Sequence, residues 1–261
     1  MTEDIDGRIA RHSAAFNSVG RVPLAALTLE QASSAIVEAA SQGKPGDVHL
    51  VNAYCVALAE KSDPYRERLV GSWLNLPDGR PLQWVSKVRK DRPALSQVRG
   101  RDLMDRVLAD GVEVGLRHFL LGSTEETLTR LQAEVERVHQ GVRIVGIQPR
   151  APREIDLKER ERHLEAIRQS DAQVIWIGLG TPAQDEEAVA LASSIGAVCI
   201  GVGAAFDFIA GNQAEAPGWM RASGLEWLHR LLSEPRRLWR RYLIGNLTFI
   251  KSVAANWRRS S

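Results

Sequence analysis

At 261 residues, with 44% apolar and 25% charged residues, the chain has the composition of a soluble globular protein with one large α/β domain or two small ones. No run approaches the roughly 20 apolar residues of a spanning helix, and the charged N-terminus lacks the apolar core of a signal peptide, so neither a transmembrane protein nor a secreted one is expected. The net charge of +2 hides an asymmetry: from Trp219 onward nine basic residues face only Glu226 and Glu234, a surplus of seven, which leaves about −5 for the remainder. A basic tail of this kind suits an anionic partner: lipid, nucleic acid or phosphate.

In chain order, residues 1–21 are aperiodic and are expected to be loosely ordered. Thr28 with Gln31 makes a capping pair before Ala32, Ile36 and Ala39, which predicts a helix. A strand follows over 47–51, ending at Asn52, then a helix over 53–61. The apolar strand beginning at Trp73 ends in Pro77-Asp78-Gly79. On composition this dipeptide reads as a simple turn, and the competing reading is a carboxylate held at a strand end, where α/β sites form. Helices are predicted over 81–90 and from Asp102, with a loop over 93–101 between them.

From Leu116 the order becomes regular: strand, helix over 125–139, strand over 142–147, helix over 153–170, strand over 173–177, helix over 185–194, and strand over 197–202. That alternation predicts a mostly parallel, doubly wound sheet flanked by helices. Cys55 and Cys199 lie in apolar runs, away from any metal-ligand spacing, and read as buried reduced thiols.

The stretch 174–227 organises the chain. Two apolar runs end in Gly178-Leu-Gly180 and Gly201-Val-Gly203. Each lacks the third glycine of the dinucleotide fingerprint, which disfavours an NAD-dependent oxidoreductase. Close packing at strand ends and phosphate binding are both open readings of such loops. Gln184 opens a helix after Pro182 and can either serve the helix start or reach back to a sugar hydroxyl. Asp207, flanked by Phe206 and Phe208, follows the second loop. In the tail, Arg236-Arg-x-x-Arg-Arg241 is interleaved with Trp239 and Tyr242, more than a solvated helix face requires. No groove-reading nucleic-acid motif is present.

Four motifs carry a resemblance: Gly178-Leu-Gly-Thr-Pro-Ala-Gln-Asp, Val202-Gly-Ala-Ala-Phe-Asp-Phe-Ile-Ala-Gly, Ala216-Pro-Gly-Trp-Met, and the run from Gly224-Leu-Glu-Trp to Arg240-Arg-Tyr. Together with Asn52-Ala, Leu76-Pro-Asp-Gly and Gly100-Arg-Asp-Leu, they resemble the WecG/TagA/CpsF glycosyltransferases, glycosyltransferase family 26, over roughly 24–249. The resemblance implies a Rossmann-like catalytic domain over 22–216 and a basic, membrane-associating helical appendage over 217–261. It implies an enzyme that moves a sugar, with inversion, from a UDP-sugar to a sugar on a polyprenyl diphosphate at the inner face of the cytoplasmic membrane, in exopolysaccharide or cell-envelope synthesis. No metal or other cofactor, and no nucleic acid, is implied. A non-catalytic nucleotide-sugar-binding module using the same cleft is the competing reading.

The family's proposed base falls on Asp78, which replaces the turn reading by the carboxylate reading. A carboxylate there can accept the acceptor hydroxyl's proton. Substrate-binding positions implied or suggested beside it are Asn52, Gly79, Arg99, Asp102, Gly178, Gly180, Pro182, Gln184, Gly201, Gly203, Phe206 and Asp207, with Arg221, Arg230, Arg237 and Arg240 facing a diphosphate or lipid. The sequence departs from the family pattern at Leu50, where many members carry threonine, at Ala183, where many carry lysine, and at Gln97, where many carry arginine with Arg99 nearby here. These departures bear on the identity of donor and acceptor.

Overall fold

A computed structural model describes residues 15–88, 91–150 and 157–257; the expectations for 1–14, for the end of the helix at 81–90 and for the start of that at 153–170 fall outside them. The chain opens with a hairpin of β1 (Phe16–Val19) and β2 (Val22–Ala25), then α1 (Leu29–Ser41), β3 (Gly46–Val51), α2 (Ala53–Lys61), α3 (Asp63–Val70), β4 (Leu74–Pro77) and α4 (Arg80–Val88). Next come α5 (Gly100–Glu113), β5 (Arg117–Gly122), α6 (Glu125–Val138), β6 (Arg143–Gln148), α7 (Leu157–Ser170), β7 (Val174–Gly178), α8 (Ala183–Ile195), β8 (Val198–Gly201) and α9 (Ala205–Ile209). The C-terminal part adds α10 (Gly218–Ala222), α11 (Glu226–Ser233), α12 (Pro235–Trp239), a π-helical turn (Arg240–Ile244) and α13 (Gly245–Asn256).

Strands β3 to β8 form one six-stranded sheet in the order β4-β3-β8-β7-β5-β6, and every pairing in it is parallel. This is the Rossmann-like α/β architecture that the alternation of elements predicts. Side chains alternate across the sheet with a period of two. Val48, Leu120, Trp176 and Ile200 pack in one layer with Ile36 of α1, Leu103 of α5 and Leu128 of α6. Leu121, Ile175, Ile177 and Cys199 pack in the opposite layer with Ile167 of α7 and Leu191 of α8. A third cluster around Val51, Cys55, Leu69 and Leu82 joins the hairpin to α2, α3, α4 and Phe249 of α13. Both cysteines are free and buried, as their apolar settings predict.

The N-terminal expectation needs correction within 15–21. Phe16–Val19 is a strand paired antiparallel with β2, linked through Gly20 at φ +62° and Arg21, a two-residue hairpin connection that suits glycine at the first turn position. The strand stays in place because Val19 is buried and the equally buried Asn17 donates to Pro93 O at 2.9 Å. Thr28 caps α1 with Gln31 as read. The appendage assigned to 217–261 does not stand apart from the domain. Phe249 lies in the third cluster, and Ser252 Oγ donates to Glu60 Oε2 at 2.8 Å.

One buried polar cluster fixes α8 against β3. His49 sits between Asp185 (Nδ1 to Oδ1, 3.0 Å) and Asp47 (Nε2 to Oδ2, 2.9 Å), and Tyr65 Oη donates to the second oxygen of Asp185 at 2.9 Å. Burial alone would lower the affinity of His49 for a second proton, but the hydrogen bonds and negative charges of the two aspartates outweigh it and raise its pKa to about 9. The folded state therefore binds a proton that the unfolded chain releases near its ordinary value of 6.5. This contribution to stability is full below pH 6.5 and is lost as pH rises through about 9. Asp185→Asn should cost about 3–5 kcal/mol at pH 6, as breaking a buried pair does, and the difference from the parent should narrow in urea melts above pH 9.

Candidate active site

Parallel pairing delivers the strand ends to one edge of the sheet, where α/β sites form. β3 hands on to Asn52, whose Oδ1 accepts from the N–H groups of Tyr54 (3.0 Å) and Cys55 (3.3 Å) and so caps α2. β4 hands on to Asp78, whose N–H donates to Val51 O at 2.7 Å and ties the two strand ends together. Gly79 follows at φ +119°, a conformation that favours glycine. The Asp-Gly pair is thus a turn that presents a carboxylate.

A cavity of about 400 Å³ opens over these strand ends. Its floor is Asn52, Tyr54, Asp78, Gly79, Arg80, Trp84 and Gln97, and its roof is Arg221, Gly224, Glu226, Trp227, Arg230, Arg241, Tyr242 and Asn246. The C-terminal segment therefore completes the site. Gly224 lets it approach, because a Cβ there would lie 2.6 Å from the Trp84 ring and φ is +72°. The π-helical turn brings Arg241 over the Tyr54 ring at 4.4 Å and Tyr242 against Trp227 at 6.0 Å. Such turns are rare within helices and mark functional sites. Arg230 lies over the Phe208 ring at 5.4 Å.

Roof and floor are joined by ion pairs. Arg99 Nη2 lies 3.1 Å from Glu226 and 3.6 Å from Glu215, and its Nη1 lies 3.6 Å from Asp102. Glu215 also meets Arg221 at 2.7 Å and contacts Arg101. Burial pushes the Asp78 carboxyl up to about 7, and the Glu226 carboxylate adds to that rise against the opposing charges of Arg230, Arg99 and Arg241.

Of the positions singled out in sequence, Asn52, Asp78, Gly79, Arg221 and Arg230 line this cavity. Arg99 and Asp102 pair with each other beside it. The side chains of Arg237 and Arg240 lie outside the described residues. Gly178, Gly180, Pro182, Gln184, Gly201, Gly203, Phe206 and Asp207 gather at the ends of β7 and β8, farther along the same edge, and are not part of the cavity wall. There Gln184 is buried, and its Oε1 accepts from Gly180 N–H at 3.1 Å. A Cβ at Gly178 would lie 2.4 Å from the Phe206 ring, whereas one at Gly180 would meet nothing within 4 Å. Among these glycines, Gly178 serves close packing, whereas Gly180 has open space where a Cβ would stand while its N–H and C=O are both bonded to Gln184.

Sequence reasoning passed over Tyr54, Trp84, Glu226, Trp227, Arg241 and Tyr242 as site residues. Arg241 stood in the basic run, but a regular helix aligns 237, 240 and 244 on one stripe, and the π-helical turn breaks that register. Among the described residues no group of three or more His, Cys, Asp or Glu is arranged to hold a metal ion.

The family model described as "Glycosyl transferase WecG/TagA/CpsF family" matches residues 17–261. The chain belongs to that family. Membership makes it a glycosyltransferase of polysaccharide synthesis, with a nucleotide-sugar donor and a lipid-linked acceptor as the general substrate classes. Its site has a measurable signature apart from turnover. An aspartate held near 7 instead of its ordinary 3.8 binds a proton in the folded state that the unfolded chain has released. The penalty on its charged form is absent below pH 3.8, where folded and unfolded chains are both protonated, and stability is lost to it as pH rises through about 7. Asp78→Asn should therefore melt at a higher temperature than the parent above pH 7, with the gain shrinking towards pH 4.

Proposed function

We propose that the chain is an inverting, UDP-sugar-dependent glycosyltransferase that acts on a sugar carried by a polyprenyl diphosphate, with Asp78 as the base. The observation that carries this reading is Asp78 itself: a strand-end carboxylate of raised proton affinity beneath a roof of arginines. In the reaction the acceptor hydroxyl oxygen attacks the anomeric carbon and its proton passes to the Asp78 carboxylate. The bond from the anomeric carbon to the donor phosphate breaks, and UDP leaves with the electron pair. Arg221, Arg230 and Arg241 supply the positive charge that a diphosphate needs, which assigns its neutralisation to side chains rather than to a metal. We assign the loop at Gly180, where a Cβ would meet nothing within 4 Å, to the nucleotide end of the cleft as room for the ligand, since its own N–H is taken by Gln184.

The apolar wall supports a lipid-linked acceptor. Val85, Phe249 and Ile250 line the cavity and continue into a second, apolar cavity of about 620 Å³ with Val253, Ala254 and Trp257. Among the described residues no helix is long and apolar enough to cross a membrane. The C-terminal segment nevertheless exposes Leu243, Ile244, Leu247 and Ile250 beside its arginines, the composition of an interfacial helix. We assign this face to the surface of an anionic membrane, on the cytoplasmic side.

Turnover of a UDP-sugar with a polyprenyl-diphosphate-linked saccharide, followed by UDP release, separates this reading from a binding module that uses the same cleft. Asp78→Asn should reduce transfer by roughly 10²–10⁴-fold; near-parental turnover would remove Asp78 from the mechanism. For membrane docking, truncation is a poor test because Phe249 belongs to the shared core. The double variant Leu243→Glu, Leu247→Glu changes exposed positions only. It should no longer sediment with anionic vesicles, and unchanged sedimentation would refute the docking face.

A further inference from the structure

Glu226 is on the C-terminal segment, in the first turn of α11, yet it lines the same cavity as Asp78. Arg99, at the N-terminal cap of α5 on the sheet domain, holds it there at 3.1 Å. The Arg99 side chain is 14% exposed and is shared with Glu215 and Asp102. Two carboxylates from different parts of the chain thus face one partly shielded space. A tether for the roof needs only one ion pair, and placing its acidic end inside the cavity of another carboxylate is electrostatically unfavourable. That placement calls for a role.

We propose that Glu226 is a positioning residue for Asp78: by carrying a negative charge into the cavity, the seated C-terminal segment makes the proton-accepting capacity of Asp78 depend on closure of the site. This rests on Asp78 being the base of the proposed reaction. With the roof in place, Asp78 meets the negative charge of Glu226 and holds more firmly a proton drawn from the acceptor hydroxyl. With the roof displaced, that charge leaves, water enters, and the carboxylate returns to the behaviour of an ordinary aspartate, a weak base near neutrality. Proton abstraction is thereby confined to the closed state, in which the donor sugar is shielded from water.

The charged groups acting on Asp78 come from every surrounding element. Glu226 and Arg230 belong to α11, Arg99 precedes α5, and Arg241 lies in the π-helical turn. Arg80 of α4 and Arg221 of α10 also line the cavity. Glu226 is the acidic member of this set, so its removal and the removal of an arginine should act in opposite directions.

The test uses that opposition. In the full-length protein, the Asp78 side-chain carboxyl is titrated by carbon-13 NMR, its signal assigned by its absence in Asp78→Asn, alongside the pH profile of kcat/KM. Glu226→Gln should move the titration and the rising limb to lower pH by on the order of one unit. Arg230→Gln, which removes a positive charge facing Asp78 and leaves the Arg99–Glu226 pair in place, should move both to higher pH, and Glu226→Asp should restore the parental midpoint in part. If Glu226 is only a tether, Glu226→Gln and Arg99→Gln will both lower kcat and leave the midpoint where it is, and the proposal is overturned. An unmoved midpoint in folded Glu226→Gln overturns it too. Near-parental turnover in Asp78→Asn would instead defeat the assignment of the base, an outcome that the NMR titration distinguishes because it needs no substrate.

Discussion

Arg99 joins parts of the chain that no strand pairing connects. Its guanidinium reaches Asp102 on its own helix, Glu215 in the segment after α9, and Glu226 at the start of α11. Each of these carboxylates belongs to a different piece of the site's frame. Low exposure makes the arrangement sensitive, because removing one partner of a partly buried pair leaves the other charge uncompensated. The net contribution of such pairs to stability is small; their value here is geometric. They hold a roof rich in arginine and aromatic groups above the ends of β3 and β4. Without that roof, Asp78 would be an exposed turn residue.

Asp78 in turn shows how the fold bears the cost of a reactive group. Held near 7, it is less stable ionised in the folded protein than in water. The cost is offset elsewhere, by the packing of Phe249 among Val51, Cys55 and Leu82 and by the paired imidazolium of His49 behind the sheet. The second of these also fixes the N-terminal end of α8, where Gln184 accepts from Gly180 N–H. Two parts of the strand-end edge are thus organised differently. The end near β4 is a roofed cavity with charged walls, and the end near β7 is a pair of glycine loops supported from within.

The sheet was legible because its strands other than the edge strand β6 are short apolar runs buried on both faces, and some of its helices carry clear caps, such as Thr28 with Gln31. Gly20-Arg21 between two valines was the available signal for the N-terminal hairpin, but Asn17 and Ser18 interrupt the apolar pattern there. Asn17 is buried because it has a partner far along the chain, at Pro93, which local patterning does not reveal. Asp78 shows the limit most clearly. Composition alone made it a turn, and only the resemblance of the surrounding motifs made it a base. Glu226, Arg241 and Trp84 escaped notice as site residues because they meet only through tertiary packing. A π-helical turn shifts Arg241 off the stripe that helical periodicity predicts, and Gly224 permits a backbone-to-ring contact that no spacing rule anticipates.

Two carboxylates in one cavity leave a sharp chemical alternative. If Asp78 is a base, displacement at the anomeric carbon is direct and the configuration inverts. If one carboxylate attacks that carbon while the other manages the proton, two displacements follow and the configuration is retained, the logic that separates the two outcomes among glycoside hydrolases. The most direct measurement is the anomeric configuration of the first-formed product, read by proton NMR after turnover of a UDP-sugar with a lipid-linked acceptor. Inversion is the expected result. A retained configuration would contradict the role assigned to Asp78 and, with it, the part assigned to Glu226.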